Sequence, residues 1–355
     1  MAQRPWPLFS SLEVITLMDP LTHGLAGAVA AQTVSKKEKH RPAALTAFAA
    51  ALLPDIETFI HHPSDPLFNL EIHRQFTHAI IFIPVGALIA AGLLWWFMRK
   101  HLDFREIYLF SLLGYATHGL LDAVTSYGTE LLWPISDIRV AWNLIPIIDP
   151  VLTLGIGALV AVSFYYRQNI WSLAAVVWVI LYLMTGFIQR ERAAEYMEKL
   201  AVERGHHIER LVVKPSIGNL VLWRSTYLAQ DSIYVDAPRP GFFASPVVYF
   251  GDSAPAVIPE RHYSGFRNTT IYEDILRFYR FSDRFLVMHP EKEQIIGDAR
   301  YSMVPNHLTP LWGIQVDTTQ PGRHVPFMHF RDAGQEVRED FMEMATGARE
   351  ADYRP

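Results

Sequence analysis

Residues 114–122 read GYATHGLLD and lie inside an apolar run from Ile107 to Val124. The run predicts a helix, in which the spacing of four places His118 and Asp122 one turn apart on the same face. An imidazole and a carboxylate in that arrangement can bind one cation. The alternative is a buried hydrogen bond between the two side chains that only orients two helices. The two glycines of the stretch would let another backbone come close.

A second motif, HRQFTH at residues 73–78, directly precedes the apolar stretch 79–98. Two imidazoles and a guanidinium at the start of a membrane helix are suited to metal ligation, acid or base catalysis and anion binding. His73 and His78 are five residues apart and lie on somewhat different faces, so one of them is expected to contact a metal ligand and not the metal itself. Arg74 is the candidate anion clamp, and its alternative is a cation that extends to the lipid headgroups.

Two further motifs place acidic and imidazole groups at the ends of short apolar segments. PDIE at residues 54–57 closes one such segment, so Asp55 is predicted to ligate a cation presented by the other motifs at the membrane interface. DPLTHG at residues 19–24 predicts a helix capped by Asp19, with His23 in its first turn. Because a bilayer makes stray ionisable groups costly, these side chains indicate a metal site.

The four motifs resemble, in the same order, those of the bacterial membrane-bound metal-dependent hydrolases of the YdjM/YbcI type. The resemblance covers roughly residues 18 to 165 and implies a hydrolase. The HxxxD helix is also similar, more remotely, to the zinc phospholipase C and P1 nuclease group, which implies phosphate esters as substrates. The chain departs from the usual aspartate-rich form of the second motif because Glu57 follows Ile56, which leaves the role of Glu57 open.

The composition fits a membrane protein. Half of the 355 residues are hydrophobic and 19% are charged, and the mean hydropathy is +0.12, which is more apolar than an ordinary soluble enzyme. The net charge of -5 does not favour nucleic acid as a partner. Because the chain has no cysteine, any metal is held by His and carboxylate. Those ligands suit zinc first, then manganese, iron or nickel.

The apolar segments predict an α-helical integral membrane domain of about four to six membrane helices over residues 18–188. About 20 residues are needed to cross a bilayer, so the third and last segments are long enough and the first two are short. Basic residues after the first, third and fifth segments place those loops in the cytoplasm and the four motifs on the extracytoplasmic side. The segments are 21–34, 43–53, 79–98, 107–125, 151–166 and 170–188.

Three further parts are predicted outside the membrane domain. Residues 1–17 form an N-terminal extension without the features of a signal peptide, and Met18 is an alternative start. Residues 189–205 form a charged helical stalk. Residues 206–355 form a smaller soluble, extracytoplasmic α+β domain with short strands in a small mixed or antiparallel sheet. It contains no known catalytic motif, so it is expected to cover the active face or to bind a protein partner that the sequence does not identify.

The preferred function is a multi-pass, metal-dependent hydrolase at the extracytoplasmic face of the bacterial inner membrane. One or two divalent ions would polarise a phosphate ester and activate water. Arg74 would bind the phosphate charge, and Glu57 or the spare imidazole, His78, would transfer a proton. The predicted metal ligands are His23, Asp55, His73, His78, His118 and Asp122.

The predicted location suits an amphiphilic substrate, such as a phospholipid or a lipid-linked phosphate, and contact with membrane lipids. Two alternatives from other classes remain. A non-catalytic, metal-stabilised membrane scaffold would keep the same His and Asp set with a saturated site. A transporter would use these groups as an ion path, although their predicted placement on one side of the membrane argues against it.

Overall fold

The computed structural model describes residues 19–242, 244–330 and 334–354, so the predicted extension 1–17 and Met18 lie outside the described residues. The chain divides into two compact units. The helical unit comprises the described residues up to Glu57 together with residues 74–183. The sheet unit comprises residues 58–73 and the described residues from Met184 onward.

The described residues form ten α-helices and several short 3-10 turns. In chain order the helices are α1 (Pro20–Val34), α2 (His40–Ala50), α3 (Phe68–Ile72), α4 (Ile83–Met98), α5 (Phe104–Ala123), α6 (Pro150–Tyr166), α7 (Asn169–Glu203), α8 (Pro259–His262), α9 (Thr270–Phe281) and α10 (Gln335–Thr346).

The helical unit is built around α5, against which α1, α2 and α4 pack. A capping box fixes the start of α5: the Asp103 carboxylate accepts the N–H of Glu106, and the Glu106 carboxylate accepts the N–H of Asp103. Gly114 lets α2 come close, because a Cβ at this position would lie 2.2 Å from the carbonyl oxygen of Ala47. The prediction that glycine allows a backbone to approach this helix is confirmed.

Two described helical stretches are long and apolar enough to cross a membrane, Ile80–Met98 and Asn169–Glu203. They correspond to the predicted segments 79–98 and 170–188 to within one residue at the start of the first, and the second also contains most of the predicted stalk. On α4, the small side chain of Ala91 is buried whereas Trp96 is exposed, which suits close helix packing on one face and lipid contact on the other. The finer count of four to six membrane helices stays a prediction.

The sheet unit contains two four-stranded antiparallel sheets, where the sequence predicted one small sheet. The strand orders are β1-β2-β3-β4 and β5-β6-β7-β8, so each strand pairs with its neighbour in sequence within its sheet. The strands are β1 (Arg210–Pro215), β2 (Trp223–Ala229), β3 (Ser232–Arg239), β4 (Val247–Pro255), β5 (Leu286–Met288), β6 (Ile295–Asp298), β7 (Trp312–Gln315) and β8 (Phe327–His329).

Apolar side chains from both sheets share one core in the sheet unit. Ile233 and Val235 of β3 pack with Val287 of β5 and with Phe285 just before it. Helix α9 adds a strongly one-sided apolar face, on which Ile275 and Phe278 are among the buried side chains. Burial of these aliphatic and aromatic groups is the main stabilising contribution to this unit.

Candidate metal centre

The helical unit brings five of the six predicted metal ligands together. His23 lies in the first turn of α1, behind the N-cap residue Asp19, whose carboxylate accepts the N–H of Leu21. Two come from 3-10 turns, Pro54–Phe59 and Phe76–His78, and two from α5. His23, His78, His118 and Asp122 are buried, whereas the side chain of Asp55 is 16% exposed.

His78 and His118 face each other at the middle of this cluster. Their Nε2 atoms are 3.0 Å apart, and they lie 3.1 and 3.3 Å, respectively, from Oδ2 of Asp122. Oδ1 of Asp55 approaches from the other side, 3.4 Å from Nε2 of His118 and 3.8 Å from Nε2 of His78. Four potential ligand atoms therefore surround one small volume.

His23 extends the cluster along α1. Its ring stacks on the ring of His118, with centroids 3.7 Å apart and an interplanar angle of 15°. Its Nε2 lies 3.4 Å from Oδ1 of Asp122. Each of the sets His23, His118, Asp122 and Asp55, His78, His118 offers ligand atoms within 4.8 Å of one another. The two sets share His118 and outline two adjacent candidate positions for a cation.

Hydrogen bonds on the far side of two imidazole rings turn their Nε2 atoms into the cluster. Nδ1 of His118 lies 2.6 Å from the carbonyl oxygen of Ala51, so it carries the proton and donates it. Nδ1 of His78 lies 2.9 Å from the Thr77 hydroxyl oxygen, and that hydroxyl donates in turn to Glu57. A protonated Nδ1 leaves the Nε2 lone pair for a metal, and the acceptor of the Nδ1 proton fixes the orientation of the ring.

The donor set fits a divalent cation. Both ring nitrogens of His23 and both carboxylate oxygens of Asp122 are buried and make no hydrogen bond of standard geometry to another described residue, although Asp122 is ion-paired with Arg74, and buried polar atoms of this kind are costly unless something satisfies them. With neutral imidazoles, the carboxylates of Asp55, Glu57 and Asp122 and the guanidinium of Arg74 leave a net charge of about −2. A divalent ion would neutralise that charge.

Arg74 and Glu57 lie behind the ligands. Arg74 is 1% exposed; its Nη2 is 3.1 Å from Oδ1 of Asp122, and its Nη1 donates to the Thr125 hydroxyl at 3.1 Å. Its φ of 60° places it in the left-handed region, and its backbone N–H donates to Glu57. Glu57 is itself buried, and its Oε1 lies 3.4 Å from Nδ1 of His78. Both charged groups therefore touch metal-ligand candidates.

His73, the sixth predicted ligand, belongs to the sheet unit. It follows the last residue of α3, is buried, and its backbone N–H donates to the carbonyl oxygen of Asn69 at 3.0 Å. It is therefore not one of the five residues that the helical unit brings together.

Three supporting groups were missed by the sequence interpretation. The Thr77 hydroxyl links Glu57 to His78, the Thr125 hydroxyl accepts from Arg74, and the Ala51 carbonyl accepts from His118. Thr77 stands directly before His78, where a hydroxyl can reach the neighbouring ring, so the motif contained a signal for it. A backbone carbonyl such as that of Ala51 has no signature in the sequence.

Comparisons with known proteins identify a family for the helical part of the chain. Residues 18–193 match the family described as YdjM inner membrane protein. An uncharacterized protein of Bacillus subtilis (strain 168), YfhP, is 24% identical over 200 residues, which cover 56% of this chain and 59% of that relative's length. No solved structure matches the chain significantly. These comparisons do not show the remote similarity to the zinc phospholipase C and P1 nuclease group, which stays a prediction.

Proposed function

Because residues 18–193 belong to the YdjM inner membrane protein family, we propose that this chain is a membrane-bound, metal-dependent hydrolase whose centre is the buried His and Asp cluster. The observation that carries the proposal is the convergence of His23, Asp55, His78, His118 and Asp122 from four separate segments, with overlapping ligand sets. Such a set of ionisable groups beside apolar helices is costly for a protein that makes no use of it.

Zinc is the first metal to consider. The donors are imidazole nitrogens and carboxylate oxygens, and no cysteine is present; this set suits zinc, with manganese, iron and nickel as the alternatives. A bound divalent ion would supply Lewis acidity and lower the pKa of a water molecule at the centre. The residues of the chain supply the rest of the chemistry.

Some groups of the protein support the candidate metal ligands, and one ligand candidate lies where substrate would approach. Arg74 holds Asp122 through its guanidinium, and Glu57 with Thr77 holds the ring of His78. On these contacts we propose that Arg74 and Glu57 position the ligands of the resting centre, and the direct phosphate and proton contacts expected from the sequence stay predictions. Asp55 is the partly exposed member of the cluster, so we place the approach of substrate and water beside its carboxylate.

We propose a phosphate ester with a lipid part as the substrate class. The proposal rests on the membrane family, on the apolar helices that accompany the centre, and on the remote resemblance of the HxxxD helix to phosphate-ester enzymes. A divalent centre stabilises the negative charge that develops on a phosphoryl oxygen. We place this activity, with the sheet unit, on the extracytoplasmic side of the inner membrane, in agreement with the distribution of basic loops.

The test begins with the metal content of the full chain purified in detergent. We expect stoichiometric zinc or another divalent metal by elemental mass spectrometry, its loss in His118→Ala, and its retention in His101→Ala, a control at an exposed histidine. The metal-loaded protein would then be assayed for hydrolysis of phosphomonoesters, phosphodiesters, carboxylic esters and amides in mixed micelles. Cleavage of a phosphate ester that His118→Ala lacks supports the proposal. Metal binding without any hydrolysis across this panel contradicts it.

A metal-stabilised scaffold is the second candidate, and the burial of His23, His78, His118 and Asp122 favours it. In a scaffold the metal has a saturated ligand set and no substrate position. Removal of the metal would then lower the melting temperature of the helical unit without abolishing any activity. The hydrolase proposal expects an open position instead, detectable as binding of inorganic phosphate to the zinc-loaded chain and not to the metal-free chain.

A further inference from the structure

A single arginine of the sheet unit holds three carboxylates. Nε and Nη2 of Arg277, on α9, donate to the two carboxylate oxygens of Glu71 at 2.7 Å each. Nη1 and Nη2 donate to the two oxygens of Asp65 at 3.1 and 2.9 Å, and Nη1 also donates to Asp274 at 2.9 Å. Each guanidinium nitrogen is thus engaged in the fork geometry that only arginine offers.

Asp65 and Glu71 both belong to the 58–73 segment, which we call the strap. The strap is also closed within itself, because the Asn69 side-chain amide donates to the carbonyl oxygens of Thr58 and Ile60 at 3.3 and 3.1 Å. The Asp65 carboxylate accepts the N–H of Leu67 at 3.0 Å. The strap is therefore closed by its own hydrogen bonds and is also held to α9 by Arg277.

The residues directly before and after the strap are Glu57 and Arg74. These two belong to the metal centre, where Glu57 contacts His78 and Arg74 contacts Asp122. They are also joined to each other, because the backbone N–H of Arg74 donates to the Glu57 carboxylate. The polypeptide thus leaves the centre at one supporting residue and returns at the other.

We propose that Arg277 is a positioning residue for the metal centre and acts through the strap. The proposal rests on the metal centre of the proposed function. Closing a flexible loop between Glu57 and Arg74 has an entropic cost that grows with loop length. When Arg277 fixes Asp65 and Glu71, the loop loses much of this conformational entropy on folding and not on metal binding. Glu57 and Arg74 are then already in position when a metal ion binds.

The same carboxylates could instead belong to a second metal site, since Asp65, Asp274 and His324 offer ligand atoms within 4.8 Å of one another. Both Asp65 oxygens and one Asp274 oxygen already accept hydrogen bonds from the guanidinium of Arg277. The other Asp274 oxygen accepts the N–H of Val325 at 3.0 Å. The structure therefore favours an ion-pair clamp over a second cation.

Zinc affinity of the full chain in detergent tests the proposal, measured by competition with a chromophoric chelator. Arg277→Met keeps an apolar stem and loses the fork, and Arg277→Lys keeps the charge and loses the bidentate geometry. Arg280→Met, at an exposed position of the same helix, is the matched control. We expect about tenfold weaker zinc binding for Arg277→Met, the size of effect typical of groups that support metal ligands, a smaller loss for Arg277→Lys, and none for Arg280→Met.

A second variant keeps the test decisive if Arg277→Met does not fold. The double substitution Asp65→Asn, Glu71→Gln removes the partners of Arg277 on the strap and should weaken zinc binding to the same extent. Hydrogen exchange should rise in peptides from 58–73 and stay unchanged in peptides from β1 and β2. Faster exchange in the strap with unchanged zinc affinity would overturn the proposal. A wild-type chain without zinc would overturn the proposed function itself, whereas zinc binding without hydrolysis leaves this test intact.

Discussion

Two buried clusters of charged and polar groups, one in each unit, differ in how their atoms are paired. In the helical unit, both ring nitrogens of His23 and both oxygens of Asp122 make no hydrogen bond of standard geometry within the described part of the chain, although Asp122 is ion-paired with Arg74. In the sheet unit, the buried guanidinium of Arg300 donates to both carboxylate oxygens of Asp298, at 2.9 and 2.7 Å, and to the carbonyl oxygen of Phe281. Because unsatisfied buried polar atoms are costly, the first arrangement is consistent with the proposed metal centre, and the second is a structural ion pair.

Asp122→Asn should have the largest effect on zinc affinity, and it tests whether the buried cluster of the helical unit binds metal. Asp122 lies within 3.4 Å of nitrogen atoms of His23, His78 and His118 and within 3.1 Å of Arg74. An amide ligates metal poorly and leaves the Arg74 charge buried without its carboxylate. We expect zinc affinity, measured by chelator competition, to fall by more than about 100-fold. Zinc affinity within a few-fold of wild type would mean that the cluster is polar packing.

Asp298→Asn should lower the stability of the sheet unit strongly and leave zinc binding unchanged. Breaking a buried pair leaves Arg300 uncompensated, so we expect the free energy of unfolding to fall by about 3 kcal/mol. Hydrogen exchange of peptides from β5 and β6 in the full chain measures this loss. Asp231→Asn, which breaks the exposed pair with Arg261, is the control and should change little. A loss of zinc in Asp298→Asn would contradict the claim that the Asp298–Arg300 pair has only a structural role in the sheet unit.

Gly119→Ala should give an intermediate effect confined to the centre. A Cβ at this position would lie 2.6 Å from the backbone carbonyl oxygen of His78, so His78 must move or α5 must shift. We expect a loss of about 1 to 3 kcal/mol in stability and weaker zinc binding, followed by thermal melting with and without zinc. Gly92→Ala, where the Cβ would meet nothing within 4 Å, should leave zinc binding unchanged.

Lys214 supplies the test with the smallest expected effect, because it is a buried charged residue of the sheet unit that forms no ion pair with any residue that the structure describes. Its ammonium group has no hydrogen-bond partner and lies 3.2 Å from the centre of the Tyr301 ring. Burial, and then the nearby charge of Arg300, hold the pKa of Lys214 well below its ordinary value. Lys214 also lies directly opposite Arg224 across β1 and β2, where like charges destabilise a sheet.

The sign of the pH dependence follows from this lowered pKa. Between the folded pKa and the ordinary lysine pKa of about 10.4, the unfolded chain binds more protons than the folded chain, so stability rises with pH across that window. We expect Lys214→Met to gain about 1 kcal/mol at neutral pH and to lose this rise, as seen by hydrogen exchange of β1 and β2 peptides at several pH values. Lys199→Met, at an exposed lysine, should keep it. A Lys214→Met variant with the wild-type pH profile would contradict the assignment.

The sequence predicted the centre better than it predicted the scaffold of the sheet unit. The i, i+4 pair of His118 and Asp122 and the order of the four motifs predicted that His23 and Asp55 lie near this pair, and the structure places each of them in a ligand-type group with His118; metal binding by these groups stays a prediction. The strap is joined to α9 by long-range ion pairs of Arg277, and local sequence patterns do not reveal such pairs.

Two further features of the structure could not be predicted from local sequence patterns. The sequence predicted short strands in residues 206–355, since apolar and polar residues alternate in several segments there. It did not predict that β5 to β8 form a separate sheet, because the partner of a short strand is set by packing and not by its own residues. Likewise the position of Glu57 was known from the motif, but its contacts with Thr77 and Arg74 became visible only in the folded chain.

X-ray absorption at the zinc edge, on the full chain loaded with one equivalent of zinc, tests the central claim most directly. The account predicts a first shell of nitrogen and oxygen ligands at about 2.0 to 2.1 Å, with the outer-shell scattering of imidazole rings that weakens in His118→Ala. A spectrum without imidazole scattering, or one that His118→Ala leaves unchanged, would contradict the claim that the buried cluster of the helical unit is a metal centre.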